Sequence, residues 1–218
     1  MSGKSFRILI AISGIVGTLA LMAYFTAPFT FMPMPPPNTG IEELKIFGIK
    51  YHDTILFDAW LQQAGSFLSV LFTLGLVHMA GKSQTFAGRI TWLVSAVILG
   101  LSLAEGTFEL SAVFSGDNGH LQSSLAAFDL TNVFIHVFLI TPSLFLVQGI
   151  ALWNTRILPH ILILLSIILG AVFQVMGTLG LFYPFAVLIV IFILMAQNIW
   201  TLVASGALIF WRAPAYRD

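Results

Sequence analysis

The 218-residue chain has no cysteine and very little charge: 8% of its residues are charged, with 9 basic and 9 acidic side chains that cancel. A soluble domain normally carries about 25% charged residues. The missing cysteines exclude disulfides, thiol catalysis, cysteine-ligated metals and thiolate-bound haem. The balanced charge gives no footprint for a nucleic-acid partner. No apolar stretch contains a lysine, so a retinal Schiff base is disfavoured. What is present is apolar: 58% of residues are hydrophobic, including 20 Phe, with 18 Gly. A chain of this size has too much surface for its volume to hide that fraction from water. A lipid bilayer as solvent resolves the conflict, and glycine favours close helix contacts there.

Spanning a hydrocarbon core of about 30 Å takes about 20 apolar residues as a helix. Six stretches qualify, at about 8–31, 57–80, 90–114, 130–153, 158–182 and 185–211. The predicted fold class is therefore an all-α integral membrane protein, a single six-helix transmembrane domain over 1–218. Lys4 and Arg7 before the first stretch resemble a signal-peptide start, but the apolar run is long and is read as a retained helix. Phe182-Tyr183-Pro184 is a hairpin break between the last two spans. Seven basic residues, Lys4, Arg7, Lys82, Arg89, Arg156, Arg212 and Arg217, fall on one side. Only Lys45 and Lys50 fall on the other. By the positive-inside rule both termini are cytoplasmic, and the expected location is a bacterial inner membrane.

Two outer loops, 32–56 and 115–129, are expected to be longer than the inner ones. The first starts with the proline-rich run Met32 to Pro37, an extended exit from the first helix. An amphipathic stretch, Ile41 to Phe47, follows and suits a membrane surface. Ser115 to Gly119 is rich in turn formers. No internal repeat is visible, which weakens an inverted-repeat transporter reading.

Ionisable groups within spans are costly and mark sites. Helix 3 has Glu105 and Glu109, four apart and so on one face, with Ser95 and Ser102 near the same stripe. Two carboxylates so placed repel, so either a cation lies between them or one is protonated. Helix 4 has Asp129, Asn132 and His136 at spacings of three and four, with a kink expected at Pro142. Helix 2 has Asp58, Gln62, Ser66, Ser69 and Thr73, and helix 5 has Ser166, Gly170, Gln174 and Thr178. At about 1.5 Å of rise per residue, Gln62, Glu105, Glu109, His136 and Gln174 share one layer of the outer leaflet. The alternative is plain: polar residues in membrane helices often only hydrogen-bond neighbouring helices.

Glu105, Glu109 and His136 are the expected catalytic set, with Asp58, Gln62, Asp129, Asn132 and Gln174 as ligand-binding residues. Two carboxylates and an imidazole also suit Zn, Mn or Fe, although no HExxH-type signature is present. Without a metal, the same groups suit acid–base chemistry on a lipid, isoprenoid or quinone-like substrate. A proton-coupled carrier is the second class, supported by a thinner polar line of Asn198, Thr201 and Ser205 on helix 6. A sensor or accessory subunit of a larger membrane complex is the third. No haem is expected, because His78 and His136 lie at opposite ends of their spans. Gly14 and Gly17 offer a small-residue patch for a homo-oligomer.

Pro142 to Leu146, Leu152 to Pro159 and Leu165 to Gly170 resemble helices 4 and 5 of bacterial six-helix membrane proteins grouped as a family of unknown function. The resemblance covers about a quarter of the chain. It implies the six-helix topology and no activity.

Overall fold

The computed structural model describes residues 3–30, 32 and 40–210. Seven helices account for nearly all of them. They are α1 (Gly3–Thr30), α2 (Ile41–Met79), α3 (Phe86–Asp117), α4 (Leu121–Ile140), α5 (Leu144–Leu152), α6 (His160–Gly180) and α7 (Pro184–Phe210). With α4 and α5 counted as one interrupted rod, six helices are long and apolar enough to cross a membrane, as in a multi-pass membrane protein. The proline-rich run from Pro33 to Pro37, and Arg212 and Arg217, lie outside the described residues.

Turn chemistry sets the ends of the rods. Gly81 and Gly119 have φ of +67° and +77°, where a side chain would be strained. Each follows a helix C-terminus, and the next N–H reaches back to an orphan carbonyl: Lys82 to Val77 at 3.0 Å, His120 to Ser115 at 2.8 Å. Thr85 caps α3 by accepting from Gly88 N–H. Pro184 opens α7, where its missing N–H has no helical partner to lose.

The expected outer loops are largely helical. The 32–56 loop is already helix from Ile41, joined to the span through non-helical backbone at Tyr51. The 115–129 loop shrinks to residues 118–120. The 39 residues of α2 form two helical pieces that meet at the Tyr51 kink. His52, just past the kink, ties α2 to α3, with Nε2 at 3.0 Å from Asp117 Oδ2 and Nδ1 at 2.7 Å from Asp53 Oδ1.

Neighbour relations close the helices into a ring. α1 packs on α2 and α7, α2 on α3, α3 on α4 and α5, these on α6, and α6 on α7. Both described ends of the chain lie at one end of the ring, where the Arg7 side chain donates to the Leu208 carbonyl. This is the terminal end.

The fourth rod does more than kink at Pro142; it breaks. Thr141 leaves α4 in an extended conformation, and Ser143 caps α5 through Leu146 N–H. Gln174 Oε1 on α6 accepts the Ser143 N–H at 2.9 Å, so the break has no orphan there. Past the break α5 reaches across the ring to α2. Fully buried Gln148 accepts from Thr73 (2.8 Å) and donates to Ser166 (3.1 Å). Ser166 in turn donates to the Phe145 carbonyl at 2.8 Å. Gly170 permits this approach: a Cβ there would lie 2.2 Å from Leu146 N.

The terminal half is thus filled. Phe72, Leu76, Leu152, Ile163, Trp200 and Leu208 form one buried cluster. Trp200 Nε1 donates to Leu162 O at 2.7 Å, and its ring meets Phe145 edge-on at 5.1 Å. Gly14 and Gly17 are used inside the fold, and this corrects their reading as an oligomer patch. A Cβ on Gly14 would meet Ser205 and Phe72, and one on Gly17 would meet Leu68 and Ser69.

Candidate functional site

Where α4 replaces α5 in the ring, at the end away from the termini, the centre is open. The cavity holds about 780 Å³ and takes residues from all seven helices. At the end away from the termini it is bordered by Lys45, His52 and Asp117. Its floor is made by Thr73, Phe145, Asn198 and Thr201, on the side of the plugged half.

Most of the wall is apolar, but one sector is acidic. Asp58 and Gln62 on α2 are one turn apart and buried, at 6% and 5% exposure. Ser102, Glu105 and Glu109 on α3 follow at spacings of three and four and face the same space. The Gln62 side-chain amide donates to Glu105 Oε2. Tyr24 on α1 lines the same cavity as Glu105 and Glu109. When ionised, Asp58, Glu105 and Glu109 place like charges around one space. Four buried polar atoms on this wall have no hydrogen-bond partner among the described residues: Asp58 Oδ1, Gln62 Oε1, Ser102 Oγ and Glu109 Oε2. Such groups are expensive to bury unsatisfied. Gln62 Oε1 accepts, and so do the Asp58 and Glu109 oxygens when ionised, so the wall is then complementary to a donor.

The structure divides the expected site residues. Asp58, Gln62, Glu105 and Glu109 come together on the cavity. Asp129 and His136 do not: both are exposed on α4, and neither borders the cavity. The cavity-facing stripe of α4 is Leu121, Leu125, Phe128, Thr131, Phe134 and Phe138. The side chain of Asn132 lies outside the described residues. Gln174 holds the break between α4 and α5 instead of a ligand. The catalytic and metal sets built on His136 are corrected accordingly. Among the described residues, no three His, Asp or Glu side chains converge at a metal-binding distance.

Three contributors were not anticipated. Tyr24 is a lone hydroxyl on an otherwise apolar stripe with Leu21 and Phe25. Gln197 borders the floor beside Asn198. Gln148 determines where the cavity stops. The usable signal was the same for each: one strong hydrogen-bonding group in an apolar span.

These features define a class, a six-rod helical bundle of membrane-spanning length that encloses an acid-walled, largely apolar cavity in the half away from the termini. No protein-family model matches the chain, and no curated protein or solved structure matches it.

Proposed function

We propose that this protein binds a membrane-soluble small molecule in the central cavity, with Glu105 and Glu109 exchanging protons with it. Four unpartnered buried polar atoms from α2 and α3 on one cavity wall carry this reading. The basic residues assign sides. Those at the terminal end outnumber Lys45 and Lys50 at the far end, so the termini are cytoplasmic and the cavity lies in the outer half. A bacterial inner membrane is the matching location. An apolar wall with a few convergent polar groups is the usual build of a small-molecule site, and a lipid, isoprenoid or quinone-like compound fits its character. Held in a water-poor wall, a carboxyl group can give or take a proton, which suits acid–base chemistry.

Mass spectrometry of small molecules extracted from protein purified in lipid nanodiscs tests this. A hydrophobic compound should accompany wild type and be depleted in the Glu105→Gln, Glu109→Gln double variant and in a cavity-filling Ser102→Trp variant. Equal recovery from all three would sink the proposal.

One observation favours a second reading, a proton-linked carrier. Asn198 and Thr201 extend the polar lining to the floor, and the plug beneath is held by a short helix, α5, behind a capped break. Motion of α5 would then connect the cavity to the other side.

A further inference from the structure

Resting on the pocket reading above, we infer that the cavity selects an organic cation: a protonated amine carried on an apolar body. The acidic wall is unbalanced. Asp58, Glu105 and Glu109 border one space, and the only basic side chains among its described lining residues are Lys45 and His52. Both sit at the end away from the termini, and His52 already faces Asp53 and Asp117. A buried carboxylate without a counter-charge is strongly disfavoured. A ligand ammonium supplies both the charge and the donors that the wall lacks.

The unpartnered atoms define the head group more closely. Gln62 Oε1 and the ionised forms of Asp58 Oδ1 and Glu109 Oε2 are acceptors, and an ammonium offers donors only. Asp58 and Gln62 are each more than nine-tenths buried, so bulk water does not satisfy them. A bare divalent ion fits poorly. It needs a tight cage of converging oxygens, whereas the space is about 780 Å³. No three acidic or histidine side chains converge at a metal-binding distance among the described residues. The rest of the wall suits the body of such a ligand. Phe25, Phe128, Phe134 and Phe138 line the cavity, and aromatic faces attract cations as well as apolar groups. An anionic or zwitterionic head group would bring its negative charge against three carboxyl groups.

The test uses the full chain in nanodiscs and three fluorescent probes. These are dansylcadaverine (a protonated primary amine), its neutral N-acetyl derivative, and a dansyl-labelled fatty acid. Saturable binding of the amine, at least about tenfold tighter than either analogue, is expected from the gain of charge-assisted hydrogen bonds. Glu109→Gln and Asp58→Asn should each weaken the amine and leave the neutral probe unchanged. Comparing the probes on wild type alone keeps the test valid if a variant fails to fold. Saturable binding of the neutral or acidic probe with equal or higher affinity, blocked by Ser102→Trp, would overturn the cation inference and leave the pocket reading intact. If no probe of any charge binds saturably, both fall.

Discussion

Single side chains divide into those that build the cavity and those that face its contents. Gln148 belongs to the first group. It joins Thr73 to Ser166 across the bundle. Gln148→Leu should therefore strand buried partners and lower stability by about 1–3 kcal/mol, read as a fall in Tm in nanodiscs. Tyr24 belongs to the second group. It lines the same cavity as both glutamates, so Tyr24→Phe should weaken ligand binding while Tm stays near wild type. A large drop in Tm with unchanged binding would reverse that assignment. Glu105 and Glu109 were legible from their spacing alone, because a span without basic residues leaves two carboxyls no local partner. His136 was misleading for a related reason. Spacing tells which residues share a helix face but not which way the face turns, and α4 turns its aromatic stripe inward.

Among the elements, the interrupted fourth rod matters most. Pro142 announced a distortion, yet the break also needed Ser143 as a cap and Gln174 from another helix as acceptor. That last contact joins residues 31 positions apart, which no local pattern reports. The break lets α4 stand aside and α5 fill the centre. Gly170→Ala would push a methyl group against the α5 backbone, and overpacking of this kind costs about 1–3 kcal/mol. It should lower Tm and loosen the plug, seen as faster deuterium uptake across residues 144–152. The start of α2, before the Tyr51 kink, makes a second element-scale case. A ring that faces a carboxylate from each nitrogen donates from both only as the imidazolium. His52→Ala should free the start of α2 from α3 and raise deuterium exchange in residues 41–56. Unchanged exchange would show that packing alone holds it.

At the scale of the whole molecule the question is access. A ring of helices that is open in one half and plugged in the other defines a one-sided pocket. The absence of cysteine makes this directly measurable, since a single introduced thiol reports alone. Asn198→Cys, at the floor, should react with a membrane-impermeant maleimide only from the side away from the termini. Labelling from the terminal side as well would show that the plug opens and would favour the carrier.

The sequence by itself determined that six helices are long and apolar enough to cross a membrane, and it placed the ends of α1, α3, α6 and α7 closely while missing the early starts of α2 and α4. It also determined which polar residues share a helix face. These are local properties, set by hydropathy over about 20 residues and by the 3.6-residue turn. Tertiary structure decided what the polar residues are for. Packing chose which face of α4 points inward, turned Gln174 and Gly170 into supports for a helix break, and buried Gly14 and Gly17 within the ring. It brought Tyr24 of α1 to the same cavity as the glutamates of α3. The physical reason is that helix rotation and neighbour choice are settled by close packing between segments distant in the chain. The same packing left the centre open only where α4 stands aside.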